Sequence, residues 1–163
     1  SDRKTQLVDS GVMIEEILKN LENTDLGICY LKNITSEEAV QTLNERLSSY
    51  FGDTHITVKL DDGILSDAAA GSNYIKIKSG ILFSPREIDI LEVHEGWVHV
   101  GTTLNGLNQP YAKWLSKGTP STTSIQEGLA FLMEVFTFRC TPDRLRKINN
   151  RLLACEMTES GAN

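Results

Sequence analysis

Two of the three histidines in this chain, His94 and His99, fall five residues apart, with Glu95 directly after the first. Neutral imidazoles bind divalent metal ions, and two of them with a carboxylate make a three-donor zinc site whose fourth position stays open for water. Zinc in such a site brings the pKa of that water toward neutrality. A carboxylate beside the first histidine is then placed to take the proton and pass it to a leaving group. The usual spacing, H-E-x-x-H, sets both histidines on one helical face. Here one more residue intervenes. At about 100° per residue, a regular α-helix leaves the two side chains about 140° apart. Either a π-type turn with i→i+5 bonding or a loosened last turn before Gly101 is needed to aim both at one ion. Gly96 supplies backbone freedom for either remedy. The spacing therefore predicts a distorted helix between His94 and Gly101. On spacing alone, a competing reading stands level: two half-buried histidines satisfied by backbone carbonyls.

A third donor is sought downstream. Glu127, in Gln126-Glu127-Gly128-Leu129-Ala130, opens the next long helical pattern, and a carboxylate on an adjacent helix is a standard completion of a His-His-Glu site. An acidic residue near a helix start is equally a cap or dipole partner. Glu134, two turns further on nearly the same face, is the competing donor or a partner behind the donors.

The elements that must position these residues follow from periodicity and capping. Residues 12–22 place Val12, Ile14, Ile17, Leu18 and Leu21 near helical spacing. Residues 27–31 suggest a short extended segment. Thr35-Ser36-Glu37-Glu38 starts a helix to about Tyr50, with Ala39, Leu43 and Leu47 on one face and Gly52-Asp53 as its breaker. Residues 55–60 and 74–78 alternate and read as strands. Asp61-Asp62-Gly63 is a turn, and residues 68–73 read as a flexible loop. Ser84-Pro85-Arg86-Glu87 opens the helix carrying the His-Glu-His run, expected to end near Gly101. Residues 101–123 read as one long loop, followed by a helix capped at Thr123 or Ser124 and running to about Cys140. Thr141-Pro142-Asp143 starts a last, basic helix with Arg144, Arg146, Lys147 and Arg151.

A chain of 163 residues points to one domain. Apolar content of 40% and charged content of 23% are those of a soluble globular protein. A net charge of −6 argues against nucleic-acid binding, because phosphates need a basic excess. No apolar run reaches the roughly 20 residues a membrane span requires, so no membrane partner is expected. Cys29, Cys140 and Cys155 are odd in number and lack a C-x-x-C pair, which fits a reducing, cytoplasmic compartment. Ser1 is not a natural start, so the chain is expected to be cut or processed.

The run LEVHEGWVHVGTTLNG followed by STTSIQEGLAFL resembles the QEGLA-motif proteins, a bacterial group labelled flavohemoglobin expression-modulating. That group belongs to a wider family of zinc metallopeptidases whose animal relatives include the microtubule-associated tyrosine carboxypeptidases. The stretch DAAAGSNYIKIKSGILFSPREIDILEVHE is similar too, and the likeness covers roughly residues 55–140. The resemblance implies that His94, His99 and Glu127 bind zinc and that Glu95 is the general base. It implies a gluzincin-like α+β fold, mainly helical, with a small sheet beside the active-site helix. The strand at 74–78 would then flank the cleft, where an extended peptide can pair with a sheet edge. The tyrosine carboxypeptidase branch tends to carry Ile-Gly-Thr between the Glu and the second His. This chain has Gly96-Trp97-Val98, so the metal chemistry is expected to carry over and the tyrosine preference is not. Proteins of the family are longer, so residues 1–163 are expected to be a truncated catalytic domain.

The expected function is a zinc-dependent peptidase, of carboxypeptidase type by the resemblance, acting on a peptide or protein. The alternative is a non-catalytic metal-binding regulatory or interaction domain of the same fold. Lys76, Lys78 and Lys117 are candidates for binding a substrate carboxylate, with solvated surface charge as the commoner role. Tyr74 and Tyr111 are weighed as oxyanion donors against packing or surface roles. Trp97 reads as a core or cleft-wall residue, and His55 as structural. The basic face of the last helix reads as a solvated surface. Oligomeric state is not legible in the sequence.

Overall fold

Capping chemistry sets the helix starts. In the computed structural model, which describes residues 2–21, 30–52 and 56–161, the elements in chain order are α1 (Asp2–Leu21), β1 (Ile34–Thr35), α2 (Ser36–Phe51), β2 (Thr57–Asp61), β3 (Ala68–Ala70), β4 (Tyr74–Lys78), β5 (Leu82–Phe83), α3 (Pro85–Leu91), a π-helix (Glu92–Val100), α4 (Gly101–Leu107), a 3-10 turn (Lys113–Ser116), α5 (Pro120–Phe136) and α6 (Pro142–Glu159). Thr35 and Glu38 exchange side-chain and backbone bonds to open α2, and Ser84 and Glu87 do the same for α3, with Pro85 at its first position. Thr141 caps α6 by accepting from the Arg144 N–H. These elements fall into two compact units, Gly27–Arg139 and Ser1–Leu26 with Cys140–Asn163. The chain is mainly helical with small sheets, an α+β arrangement.

In the larger unit, β4 is central in a three-stranded sheet of order β2-β4-β3, parallel to β2 and antiparallel to β3. Ile75 and Ile77 on β4 and Val58 on β2 turn to α2, whose Ala39, Leu43 and Leu47 are fully buried, as the spacing predicted. Burying apolar surface of this kind is the main stabilising term, about 1.5–3 kcal/mol for each large aliphatic side chain. Asn44 of α2 bonds both backbone groups of Val58, which ties the helix to the sheet by polar contacts as well. β1 and β5 form a separate antiparallel pair. The expected turn at residues 61–63 is present, with the Gly63 N–H bonded to Asp61 Oδ1.

Five expectations are corrected. Residues 68–70 form a strand, β3, where a flexible loop was expected; three alanines carry no β-branching to reveal it, and the partner β4 supplies the pairing. The helix through His94 does not end at Gly101. It continues as α4, because Val100 and Leu104 keep apolar spacing toward the core and Gly101 adopts ordinary right-handed helical geometry. The long loop therefore shrinks to residues 108–119, with the 3-10 turn inside it. Helix α5 starts at Pro120 behind the cap Thr119, the same Thr-Pro signal as at residues 141–142, and stops at Phe136. Beyond it, Phe138 takes a positive φ of 57° and breaks the helical course before Cys140. Tyr30 and Leu31 lie in turn and bend geometry rather than in a strand; residues 27–29, Asp53 and His55 lie outside the described residues.

In the smaller unit, α1 packs on α6. It begins ten residues earlier than the apolar pattern alone marked. Its contact face runs through buried Gly11 and Leu18, while Val12 and Ile17 are exposed. Gly11 allows the close approach: a Cβ there would stand 2.9 Å from Asn149 Oδ1, and the Asn149 amide donates to the Gly11 carbonyl. Arg146 donates to the Leu18 carbonyl, so the basic residues of α6 do not form one solvated face. Among the described residues no helix is long and apolar enough to cross a membrane.

Glu87 links the α3 cap to acid stability. Partial burial pushes its carboxyl up, but the Lys32 ammonium at 2.7 Å and the Ser84 N–H outweigh that, and its pKa ends below the ordinary 4.5. A depressed carboxyl pKa contributes stability that is present above 4.5 and lost as pH falls through the folded-state value. Thermal melting across pH 7 to 3 should therefore show a shallower acid decline for Glu87→Gln than for the wild type. Equal slopes would remove Glu87 as a contributor.

Candidate metal centre

The nine-residue π-helix Glu92–Val100 answers the spacing problem posed by His94 and His99. Its end shows the wider turn directly, since the Gly101 N–H reaches back five residues to the Gly96 carbonyl. Widening the turn brings the two imidazoles together, with ring centroids 4.9 Å apart. Such a segment leaves carbonyls poorly served, and two threonines supply donors: Thr103 Oγ1 to the His99 carbonyl at 3.0 Å, and Thr102 Oγ1 to the Val98 carbonyl.

Four neighbours hold the π-helix: Arg46, Arg139, Tyr50 and Leu47. Arg46 of α2 pairs with Asp89 at 2.7 Å and with the buried Glu92 at 3.0 Å, and Arg139 reaches Glu92 at 3.6 Å. Trp97 stacks on Tyr50 at 4.8 Å, with the Arg139 guanidinium 5.0 Å from its ring centre. Leu47 lies directly on Gly96, where a Cβ would meet Leu47 Cδ2 at 2.5 Å. Gly96 thus serves close helix packing, a different role from the backbone freedom expected of it. Gly96→Ala should destabilise the protein by about 1–3 kcal/mol through overpacking against the buried Leu47. Pairing it with Leu47→Val should recover part of that loss in chemical denaturation.

Glu127 faces the two histidines from α5. Its Oε2 is 3.5 Å from His94 Nε2 and its Oε1 is 3.4 Å from His99 Nε2. The three donor atoms lie within 4.8 Å of one another. Charge-assisted hydrogen bonds run about 2.7–2.9 Å, so these separations are too long for strong direct pairs. Donors at about 2.0–2.1 Å around a tetrahedral ion stand about 3.3–3.4 Å apart; each imidazole stands close to that distance from one Glu127 oxygen, a different oxygen for each ring. Because α5 starts at Pro120, Glu127 sits in its second turn. That removes the reading of Glu127 as a cap or a dipole partner of the first turn.

The far sides of both rings are oriented. His94 Nδ1 is 2.6 Å from Oε1 of Glu134, which is fully buried, and His99 Nδ1 is 3.4 Å from Gln126 Oε1. In the neutral tautomer with the proton on Nδ1, each Nε2 carries its lone pair toward Glu127. Glu134 thus meets the His94 ring from the side away from Glu127. Gln126 was not singled out from sequence, although its position beside Glu127 on the face toward the π-helix was available as a signal.

These residues open on a cleft of about 540 Å³ lined by His94, Glu95, His99, Gln126 and Glu127, by β3 and by the 3-10 turn region at Ser116–Gly118. The sheet edge at the cleft is β3, where β4 was expected; β4 is the central strand. Of the three candidate lysines, Lys76 is paired with Asp61 at 2.7 Å, Lys78 reaches the Leu65 carbonyl, and Lys117 lines the cleft. Lys76 holds the Asp61 carboxyl below the usual carboxylate range, together with the Gly63 N–H. Neither Tyr74 nor Tyr111 lines the cleft: Tyr74 packs against Gly71 and under Lys59, and Tyr111 is fully solvated.

A family model described as microtubule-associated tyrosine carboxypeptidase matches residues 1–163. The chain belongs to that family. By its description it is a family of carboxypeptidases, so the cleft lies in a chain of enzyme ancestry. No curated protein and no solved structure matches the chain. Gly96, Trp97 and Val98, between the two histidines, do not line the cleft; Gly96 packs on Leu47, Trp97 stacks on Tyr50 and Val98 is buried. Their identity therefore bears on helix packing and not on the pocket wall.

Truncating Glu134 tests the orientation of His94. Glu134→Ala should weaken divalent-metal affinity by about 10- to 100-fold in a competition titration, with Glu134→Gln, which keeps an acceptor, losing less. Equal affinities in all three proteins would show that the contact does not serve the metal.

Proposed function

We propose that this chain is a zinc-dependent peptidase of carboxypeptidase type, with His94, His99 and Glu127 as the protein ligands and Glu95 as the general base. The observation that carries the proposal is the convergence of these three side chains, with ligand atoms within 4.8 Å of one another, beside the Glu95 carboxylate in one cleft. Two imidazoles and one carboxylate favour zinc over magnesium or calcium, which take oxygen donors. Zinc bound there supplies Lewis acidity, which acidifies a water and polarises the scissile carbonyl.

The protein's own residues supply the rest. Glu95 follows His94 in the chain and lines the cleft, so its carboxylate can take the proton of the attacking water and hand it to the departing amine as the C–N bond breaks. Glu134 and Gln126 keep the imidazoles turned for binding. The substrate's extended backbone fits the β3 edge. Asp67 and Gly71 bond inward to β4, so the intervening Ala70 presents its N–H and C=O outward.

A purely structural zinc site is closed by four protein ligands. The group found among the described residues offers three, with Glu95 in the same cleft, which favours catalysis over a metal-binding interaction domain. Gln126-Glu127-Gly128-Leu129-Ala130 supports placing the chain in the QEGLA-motif branch, with a gluzincin-like core. Residues 1–163 are read as one catalytic domain, matched as a whole by the family model. Three cysteines, an odd number without a C-x-x-C pair, suit a reducing compartment such as the cytoplasm.

Metal analysis and peptide-library cleavage test this reading. Wild-type protein should bind one zinc per chain. His99→Ala and Glu127→Ala should lose it, and Glu95→Gln should keep zinc while kcat falls by about 10²- to 10⁴-fold. Absence of zinc uptake, or hydrolysis untouched by Glu95→Gln, would overturn the assignment.

A further inference from the structure

Helix α5 turns one face to the histidines and leaves the opposite face exposed. At about 100° per residue, Glu127 and Glu134 project within about 20° of each other; Glu127 faces both imidazoles and Glu134 bonds His94. Ile125, Leu129, Leu132 and Phe136 fall in a stripe about 60° wide, about 180° from the two glutamates. These four residues are between 43% and 69% exposed. Val135, at the edge of the stripe, and Phe138, just past the helix, are exposed as well. Beside the stripe, a Cβ on Gly128 would meet nothing within 4 Å.

A surface helix normally turns its apolar stripe to the core and its charged side to water. Here the two acids turn inward and the apolar stripe turns outward. Between Lys117 and Arg139 the only charged residues are Glu127 and Glu134, so the outer face carries no charge. Its spacings of four, three and four residues are those of a coiled-coil seam, in which apolar side chains of one helix enter the gaps of another. The helix end adds to this surface. The Arg139 N–H bonds the Glu134 carbonyl at 2.8 Å and the Phe138 N–H bonds the Val135 carbonyl at 3.0 Å, a closure that normally has glycine at the position of Phe138. With its positive φ, Phe138 holds its ring 85% exposed in a backbone conformation that side chains disfavour.

We infer that this face docks on the same face of a second copy of the chain, with the two α5 helices antiparallel. The seam is self-complementary. A two-fold axis midway between Leu129 and Leu132 sets Leu129 against the partner's Leu132 and Ile125 against the partner's Phe136, so each seam residue meets a large apolar one. Charge points the same way. In a chain of net charge −6, two copies meet with least repulsion on a face that has no acid, and that face offers nothing ionic for a charged peptide or a headgroup surface to read. The area is sufficient: at about 200 Å² for a fully exposed residue of this size, the six exposed residues offer roughly 700 Å² per copy, near the ~800 Å² per partner of a standard interface. Pairing needs no metal, so it stands apart from the peptidase reading, and it leaves Glu127 and Glu134 turned to the histidines.

Sedimentation equilibrium of the 163-residue chain tests the pairing. Across about 1–100 μM, a range that brackets micromolar affinity, the mass should rise to twice the 18.1 kDa of one chain. Leu129→Glu combined with Leu132→Glu, both at exposed positions, should raise the dissociation constant by about 100-fold or more with far-UV circular dichroism unchanged. A cross-link checks the register. With Cys29, Cys140 and Cys155 replaced by serine, Ile125→Cys together with Phe136→Cys should give a disulfide-linked dimer on mild oxidation, and Ile125→Cys alone should not. A wild type that stays at 18.1 kDa, a dimer that survives both glutamate substitutions, or linkage through Ile125→Cys alone would overturn the inference. If the doubly substituted Leu129 and Leu132 variant does not fold, the cross-link decides: a linked dimer upholds the pairing and its absence overturns it.

Discussion

Everything in the cleft depends on the widened helical turn between Glu92 and Val100. On a regular α-helix, His94 and His99 would diverge by about 140°, and Glu127 could approach at most one of them. A π-helix is a costly local geometry, and it persists only where surrounding contacts over-determine it. Those contacts are visible here. The Arg46 and Arg139 guanidinium groups hold Glu92, Leu47 is pressed onto Gly96, Trp97 is stacked on Tyr50, and Thr102 and Thr103 serve the carbonyls at its end. The residues between the two histidines are committed to this scaffolding.

Gly96-Trp97-Val98 stands between the two histidines of the candidate site, where a side chain in a regular helix could turn toward the cleft. In the wide turn the three residues face the core, on Leu47, on Tyr50 and in the buried interior. The wall of the cleft is built instead by β3, by the turn before Gly118 and by the N-terminal half of α5. The cleft walls are therefore supplied by segments separate in the chain from the three residues between the histidines.

The site also shows a graded use of carboxylates. Glu134, fully buried, orients an imidazole; Glu127, more than half exposed, faces both rings; Glu95 lines the cleft without joining the donor group; and Glu92 is bound to two arginines in the scaffold. Residue type alone does not distinguish these four roles. Depth of burial and the identity of the facing group do, since a buried acid must be paired while a half-exposed one can wait for a ligand.

The sequence by itself determined the question and its local geometry. His94 and His99 with Glu95 between them, and Glu127 or Glu134 downstream, made a candidate metal site, and the extra residue in the spacing required a distorted helix if both rings were to meet, because helical angle per residue is a local property. Cap pairs such as Thr35 with Glu38 and Ser84 with Glu87 were legible for the same reason, being contacts within one turn. Tertiary structure decided the rest. Three alanines carry no strand signal of their own, so β3 exists only through its pairing with β4. Gly101 stops a helix or continues one according to what lies beyond it, and the burial of Leu104 continued it. Glu127 and Glu134 share a helical face, and only the position of the π-helix against α5 made one face both imidazoles and the other support one from behind. Local geometry can be read from neighbours in the chain, whereas the choice between equivalent carboxylates is made by groups brought from elsewhere in it.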